Sequence, residues 1–189
     1  SDSLTMTVDS TAPAQPTILT TKILTKDPTP TIEGTAEPGS TLTLFVDGET
    51  TGVTTIADGT TGAYTIAPTA GLSDGNHTVT VTATDAAGNI SESDALTMTV
   101  DTTAPAQPTI TTTTSLTNSA TPTIEGEAEA GSTVELFDGS ASLGTTTADA
   151  EGQFLITPTL SVNDYSLTVK ATDAAGNISA ASDSLTMTV

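Results

Sequence analysis

The chain has 189 residues, and its 23 Asp and Glu against only 3 Lys and Arg give a formal net charge of −20 at pH 7. This balance excludes a nucleic-acid binder, because phosphate groups are neutralised by clustered Lys and Arg. An anionic membrane surface would repel the chain, and no apolar run approaches the roughly 20 residues of a membrane span, so membrane insertion is not expected. With no Cys there are no disulfides or thiolate metal sites.

A unit of about 90 residues is repeated along the chain. The chain opens with SDSLTMTVDSTAPAQPTI, nearly the same run begins at Ser93, and SDSLTMTV returns at Ser182. This period suits a complete small domain better than one turn of a solenoid. We therefore expect residues 1–8 to be the terminal strand of a preceding repeat, 9–100 to be repeat one and 101–189 to be repeat two.

Short alternating runs between Gly, Asn, Asp and Pro predict strands, and helix signals are absent. The clearest run is TVTVTAT at 78–84, with Val79, Val81 and Ala83 on one face and Thr on the other. The strands predicted in repeat one are Pro16–Ile23, Thr31–Ala36, Thr41–Val46, Gly52–Ala57, Ala63–Ala67, Thr78–Thr84 and Ile90–Val100. Seven such strands per unit predict an all-β chain of tandem immunoglobulin-like β-sandwich domains, linked end to end.

Equivalent positions near the sixth strand carry Tyr165 in repeat two and His77 in repeat one. In this fold a tyrosine at that place bonds through its hydroxyl to the backbone a few residues upstream. We expect this structural corner role for both residues, rather than a metal or catalytic role for the lone His. The other aromatic side chains expected in the core are Phe45, Tyr64, Phe137 and Phe154.

When the seven predicted strands are lettered A to G in chain order, the incoming linker and the B–C, D–E and F–G loops lie at one end of the sandwich, here called the N-terminal pole. A linker Asp, a B–C loop Glu and an F–G loop Asp recur at this pole in both repeats. They are Asp9, Glu37 and Asp85 in repeat one, and Asp101, Glu129 and Asp173 in repeat two. Weaker candidates at the same pole are Glu127, Asn177, Asn89, Asp149 and Asp58.

Carboxylates from separate loops repel one another unless a cation lies among them. Oxygen ligands without His or Cys match Ca²⁺, which takes 6 to 8 oxygens, better than Mg²⁺. The alternative is that Asp-Ala-Ala-Gly-Asn is a tight turn that needs no metal, and that acidic loop residues are simply solvated. For the three recurring positions we favour calcium, on convergence alone, since no EF-hand loop is present.

Other acidic residues are predicted elsewhere. Glu33 and Glu125 lie inside predicted strands and are expected to face solvent. Asp47, Glu49 and Asp74 are expected at the opposite end of repeat one, as weaker candidates for a linker site approached from the preceding side.

Three motifs resemble a known family: the linker VDxTAPxxP, the segment PTIEGxAExGS and the turn TDAAGNIS. Together they resemble the bacterial immunoglobulin-like repeats of giant type I-secreted RTX adhesins and biofilm-associated surface proteins. The resemblance implies an extracellular stalk on the bacterial cell surface that projects a distal adhesive domain, with Ca²⁺ stiffening the joints. It assigns the metal ligands to Asp101, Glu129 and Asp173 at the joint between the repeats, and to Asp9, Glu37 and Asp85 at the joint with a preceding repeat.

The expected partners are neighbouring repeats of the same chain. The fragment is expected to be monomeric, although residues 1–8 carry alternating apolar side chains that could pair with the sheet edge of another molecule.

Three other functions fit the sequence less well. A module that binds glycan or protein would normally need exposed aromatic residues, which make up only 3% of this chain. An ice-binding surface is suggested by recurring Thr-x-Thr pairs, but the twist of a sandwich spoils a flat array. An enzyme is disfavoured, because the lone His77 has no counterpart in repeat two to form a recurring acid–base pair.

Overall fold

The computed structural model describes residues 6–189, and within this range the chain forms strands and no helix. The all-β prediction is therefore confirmed. None of the described residues belongs to a helix that could cross a membrane. The chain divides into two compact units, Ser1–Thr102 and Thr103–Val189, which we describe in turn as repeat one and repeat two.

Repeat one is a sandwich of two sheets. One sheet has the order β1-β3-β6, and the other has the order β2-β9-β7-β4-β5 with β8 beside β7. The strands are β1 Thr17–Ile18, β2 Leu24–Thr25, β3 Ile32–Thr35, β4 Thr41–Val46, β5 Glu49–Ile56, β6 Ala63–Ile66, β7 Gly75–Thr84, β8 Ile90–Glu92 and β9 Leu96–Val100.

The core of repeat one comes from the alternation seen in the sequence. In β7, Val79, Val81 and Ala83 are buried while the intervening Thr residues are more exposed. Leu42 and Leu44 of β4 are fully buried beside them. The inward faces of the two sheets thus supply one continuous apolar cluster.

The first predicted strand, Pro16–Ile23, was wrong as a single element. Its first part, β1, pairs antiparallel with β3, whereas β2 lies further along the chain and pairs parallel with β9. The chain therefore crosses from one sheet to the other between Ile18 and Leu24, and alternation alone does not reveal such a crossing.

The last predicted strand, Ile90–Val100, is also interrupted, into β8 and β9. Ser93 lies in the gap and is buried. Its hydroxyl oxygen accepts the Val81 N–H at 2.9 Å, and its own N–H donates to the Val81 carbonyl at 2.9 Å. Because a side chain takes one ladder bond of Val81, the regular strand pairing stops there.

Repeat two repeats the same plan. Its sheets have the orders β10-β11-β14 and β13-β12-β15-β16. The strands are β10 Thr109–Ile110, β11 Ile124–Glu127, β12 Thr133–Asp138, β13 Ala141–Thr147, β14 Gln153–Ile156, β15 Asp164–Thr172 and β16 Leu185–Thr188. A parallel bridge between Leu116 and Thr188 stands where β2 pairs with β9 in repeat one.

The aromatic residues divide between core and surface layers. Tyr64 and Phe154 are buried in their respective cores. Phe45 and Phe137 are only half-buried, and the Lys170 ammonium lies 5.7 Å from the centre of the Phe137 ring. The core prediction was therefore wrong for Phe45 and Phe137, because both occupy the outward face of their strand.

The expected terminal strand at residues 1–8 lies mostly outside the described residues, which begin at Met6. Met6 and Val8 are 78% and 84% exposed and belong to no strand. Pairing of residues 1–8 with another molecule stays a prediction.

Candidate metal centre

The F–G turn of repeat one is built around Asp85. Its Oδ1 accepts the N–H groups of Ala87 at 2.8 Å and Asn89 at 2.9 Å, and its Oδ2 accepts the Asn89 side-chain amide at 2.8 Å. Gly88 takes φ 92°, which the tight turn requires and which glycine adopts without strain. The sequence TDAAGN therefore forms a closed turn around one carboxylate.

The incoming segment of repeat one is fastened to this turn and to the B–C loop. The Asn89 amide nitrogen donates to the Asp9 carbonyl at 3.2 Å. Ala14 is held on both sides, because its N–H donates to Glu37 Oε2 at 3.2 Å and its carbonyl accepts the Ser91 hydroxyl at 3.2 Å. Two loop side chains and the Ser91 side chain of β8 thus bind the backbone of residues 9–14.

The F–G turn of repeat two has the same construction. Asp173 Oδ1 accepts the N–H groups of Gly176 at 2.7 Å and Asn177 at 2.8 Å, and Oδ2 accepts the Asn177 side-chain amide at 2.8 Å. Asn177 is buried. The incoming segment of this repeat is fastened by Gln107, whose amide donates to the Ala181 carbonyl at 2.7 Å.

The electrostatics of the turns favour ionised carboxylates. Hydrogen bonds from the Asn89 side chain and from backbone N–H groups hold the pKa of Asp85 below its ordinary value. For Asp173, partial burial raises the pKa, but the hydrogen bonds from Asn177 and the turn backbone outweigh it and the pKa is lowered. Both carboxylates therefore remain anionic well into mildly acidic solution.

Three of the weaker candidates, Asp58, Asp149 and Glu127, accept hydrogen bonds within their own repeat. Asp58 accepts N–H bonds from Thr60 and Thr61, and the bond from Thr61 is the largest cause of its lowered pKa. In repeat two, Asp149 likewise accepts the Gln153 N–H at 2.7 Å, and Glu127 accepts the Gln153 side-chain amide at 3.1 Å.

Asp101 and Glu129 complete the predicted set. Asp101 lies in repeat one, where its N–H donates to the Thr25 carbonyl at 2.9 Å. Glu129 of repeat two is exposed, and its carbonyl accepts the Ser132 N–H at 3.0 Å.

The described residues carry oxygen donors of the type that Ca²⁺ binds, but no group of them is already arranged as a metal site. In neither unit do three described His, Asp or Glu residues form a group that could hold a metal ion. In repeat one, however, Asp85 Oδ2 and the Asp9 carbonyl oxygen both lie within hydrogen-bond distance of the same Asn89 amide nitrogen. Carboxylate, amide and carbonyl oxygens are the ligands that Ca²⁺ takes, so the donor set is suitable although each of these two oxygens already accepts a hydrogen bond.

The two corner residues take the predicted structural role. The Tyr165 hydroxyl donates to the Ser161 carbonyl at 3.1 Å, and His77 Nε2 lies 2.9 Å from the Ser73 carbonyl oxygen. His77 Nδ1 is in addition 2.7 Å from Asp47 Oδ2. The corner prediction is confirmed for both residues, while the His77–Asp47 pair was not foreseen because Asp47 comes from a different hairpin.

Sequence reasoning also missed two side chains that join a linker to its repeat. The Ser91 hydroxyl donates to the linker carbonyl of Ala14, whereas Gln107 is itself a linker residue and its amide donates to the Ala181 carbonyl. Neither residue is a typical metal ligand or catalytic group. Ser91 is the last residue of the recurring TDAAGNIS turn and Gln107 lies inside the recurring VDxTAPxxP linker, and this recurrence was the one available signal.

Two stacked sheets, a corner residue and a pole of polar loops that binds the incoming linker define a tandem immunoglobulin-like module. The sequence profile of the bacterial Ig-like domain matches residues 3–102 and 106–189. The chain therefore belongs to the bacterial Ig-like domain family, as the sequence motifs predicted.

Individual relatives are more distant. Exoglucanase B of Cellulomonas fimi is 35% identical over 200 residues, which cover 99% of this chain and 18% of that protein. The fibronectin(III)-like modules of Clostridium thermocellum CbhA superpose with a TM-score of 0.58 at 15% identity, over 93% of this chain and 94% of theirs.

A solved structure of a 1.5-MDa bacterial ice-binding adhesin, concerned with host cell surface retention, is 25% identical in sequence to this chain. It superposes with a TM-score of 0.42, over 95% of this chain and 65% of that one. This chain spans about one fifth of the length of exoglucanase B.

Proposed function

We propose that this chain is a spacer segment of an extracellular bacterial adhesin, in which Ca²⁺ bound at the N-terminal pole of each repeat stiffens the joint to the preceding segment. The observation that carries the proposal is the fastening of residues 9–14 to the pole of repeat one by Asn89, Glu37 and Ser91. A stalk transmits force only if its joints are restrained, and this segment is restrained by its own repeat.

Calcium would add to a joint that is already partly ordered. In repeat one the ion would be held by Asp9, Glu37 and Asp85, and Asn89 would contribute its amide oxygen in place of its amide nitrogen. In repeat two the ion would be held by Glu129 and Asp173, with Asn177, while Asp101, which the sequence assigns to the same set, lies in repeat one. Bound calcium supplies positive charge among carboxylates that otherwise repel, and extracellular calcium modules typically bind at about 10⁻⁴ to 10⁻³ M.

The large negative charge supports this proposal. At −20 the folded chain is destabilised by self-repulsion, and a divalent cation that binds only the folded state raises stability by mass action. We expect the melting temperature to be higher in millimolar Ca²⁺ than in chelator. The distribution of molecular lengths measured by small-angle scattering should become narrower.

The variants Asp85→Asn and Asp173→Asn test the site itself. Each removes a carboxylate that also holds its own turn, so the quantity to compare is the calcium-induced shift in melting temperature and not the melting temperature alone. Glu33→Gln and Glu125→Gln are matched controls, because these exposed strand residues lose the same charge outside the pole. An equal calcium shift in all four variants and the parent chain would contradict the proposal.

A second candidate is a spacer in a multidomain polysaccharide-degrading enzyme. It is favoured by the 35% identity to one part of exoglucanase B. Immunoglobulin-like and fibronectin-like domains are generally non-catalytic modules, so this chain would separate other domains in either setting. Sequencing the gene on both sides of this segment decides between them: further repeats support the adhesin, and a glycosidase domain supports the enzyme spacer.

A further inference from the structure

Asp74 binds the chain at the point where it leaves repeat one. It lies in the loop between β6 and β7, and its Oδ1 accepts the Thr102 N–H at 2.8 Å and the Thr102 hydroxyl at 2.7 Å. Thr102 follows closely after β9, which ends at Val100. One carboxylate oxygen thus holds both donors of a residue in the outgoing linker.

The contact between Asp74 and Thr102 continues the pairing of β7 and β9 beyond the end of both strands. Gly75 pairs with Val100 in the register of β7 and β9, so Asp74 lies directly beyond the end of that ladder. The Asp101 N–H donates to the Thr25 carbonyl at 2.9 Å. Two successive linker residues, Asp101 and Thr102, are therefore held by different elements of repeat one.

The loop that carries Asp74 is itself fixed. The preceding residue, Ser73, offers its carbonyl to the His77 ring at 2.9 Å, and this corner contact ties the loop to the start of β7. Hydrogen bonds that involve a charged group are stronger than neutral ones and lose more when one partner is removed. Asp74 therefore follows directly after a residue that is hydrogen-bonded to the start of β7.

Repeat two lacks an equivalent carboxylate. Its corner residue Tyr165 bonds to Ser161, and the residue after Ser161 is Val162, which is 90% exposed. A valine side chain cannot accept a hydrogen bond. The two repeats share the corner but differ at the one side chain that would hold an outgoing linker.

We propose that Asp74 is a positioning residue that latches the outgoing linker of repeat one at Thr102, and that this latch restricts the directions in which the following segment can leave the repeat. The latch uses only protein atoms. It is therefore tested in chelator, where a failure overturns the latch and leaves the calcium titration to decide the proposed metal sites.

The experiment compares the intact chain with Asp74→Val, which installs the residue of repeat two, and with Asp74→Asn, all in chelator. Hydrogen exchange of the Thr102 amide, followed by NMR, should become about tenfold faster or more in Asp74→Val. Nitrogen-15 relaxation should show shorter tumbling times for both repeats, because they become less coupled. Glu49→Gln is the control of equal charge change, and it should alter neither quantity.

A second variant distinguishes loss of the latch from unfolding of the repeat. Thr102→Val keeps the backbone N–H and removes only the hydroxyl, so it should give a smaller acceleration while the β7 and β9 amides stay protected. Unchanged Thr102 exchange in Asp74→Val would overturn the proposal. Faster exchange with unchanged tumbling times would also overturn it, because Asp74 would then hold Thr102 without directing the chain.

Discussion

Each repeat forms its own sandwich on the same plan, but the two repeats build the last strand differently. Between Asn89 and Leu96 repeat one reads NISESDAL, whereas repeat two reads NISAASDSL, one residue longer. Repeat one forms the short strand β8 there, and repeat two keeps a single bridge between Thr172 and Ile178. Repeat two compensates with Ser179, whose buried hydroxyl accepts the Ala171 N–H at 2.9 Å.

The corners differ in a second way. Tyr165 makes two neutral hydrogen bonds, both with the Ser161 backbone. His77 instead places both ring nitrogens against oxygen acceptors, the Ser73 carbonyl and the Asp47 carboxylate. Only the protonated imidazole has two N–H donors to satisfy both. The comparison teaches that the fold requires a hydrogen bond at each of these places and leaves its chemistry open.

The largest effect should come from a position at which the repeats agree. A Cβ on Gly34 would lie 1.9 Å from the Thr17 carbonyl oxygen, and one on Gly126 would lie 2.1 Å from the Thr109 carbonyl oxygen. These contacts are with backbone and cannot relax easily, so Gly34→Ala and Gly126→Ala should each cost about 3 kcal/mol or more. Amide NMR signals followed through thermal unfolding should show loss of the substituted repeat at lower temperature, while simultaneous loss of both repeats would contradict independent units.

Replacing one serine in each repeat with alanine tests how the two repeats hold the region before the last strand. Ser179→Ala should destabilise repeat two by about 2 kcal/mol, because the Ala171 N–H is left buried without an acceptor. Ser91→Ala, at the matching place in repeat one, should cost less, since Ala83 and Ser91 are paired there within β7 and β8. Urea unfolding of each repeat measures both values, and equal losses would show that the hydroxyl does not replace the backbone ladder.

The histidine corner makes the stability of repeat one depend on pH. Hydrogen bonds to Ser73 and Asp47 raise the pKa of His77, and those from Thr78 and His77 lower the pKa of Asp47. The His77 contribution is present below its unfolded pKa of about 6.5 and is lost as pH rises through the folded value. The Asp47 contribution is present above its unfolded pKa of about 3.9 and is lost on acidification below that range.

Repeat one should therefore lose stability from pH 5 to pH 8, by about 1 kcal/mol or less because the Asp47 side chain is 52% exposed. His77→Tyr, which installs the residue of repeat two, should remove this dependence and leave the background effect of net charge. Melting temperatures across the pH range, compared for the two chains, provide the measurement. Parallel profiles would rule out a protonated corner.

The smallest effect concerns one hydroxyl. Tyr64 donates to the Thr17 carbonyl at 2.9 Å, whereas repeat two has Phe154 at this place. Tyr64→Phe should cost about 1 kcal/mol, and the reciprocal Phe154→Tyr should recover a similar amount in repeat two if Thr109 can accept the bond. No change in urea midpoint for Tyr64→Phe would show that this hydrogen bond adds nothing to repeat one.

The same substitution has a signature in alkali. Burial raises the pKa of Tyr64 to about 12, above its unfolded value of about 10. The resulting contribution is present below pH 10 and is lost as pH rises toward 12, so Tyr64→Phe should make repeat one less sensitive to alkali.

The fold was largely predictable because its main strands alternate cleanly. Thr41–Val46 was predicted with the bounds that β4 has, and Val79, Val81 and Ala83 are buried as expected. The sheet crossing between Ile18 and Leu24 was not predictable, since it depends on which strand lies beside each half. The break at Ser93 was missed because the pattern does not show that a serine hydroxyl replaces a backbone partner.

The candidate site was predictable in its parts and not in its connections. The recurrence of TDAAGN identified the Asp85 and Asp173 turns, which both repeats form. The amide of Asn89 and the hydroxyl of Ser91 could not be assigned to the incoming segment, because their acceptors lie about 75 to 80 residues away in the chain. Long-range hydrogen bonds of this kind carry no local sequence signal.

Calcium binding is tested most directly by calorimetric titration of the intact chain with Ca²⁺, after treatment with chelator. The account predicts saturable binding with a dissociation constant of about 10⁻⁴ to 10⁻³ M. Binding should be lost in the double variant Asp85→Asn with Asp173→Asn, and retained in Glu33→Gln with Glu125→Gln. No saturable binding by the parent chain, or the same binding in both double variants, would contradict a calcium-stiffened spacer.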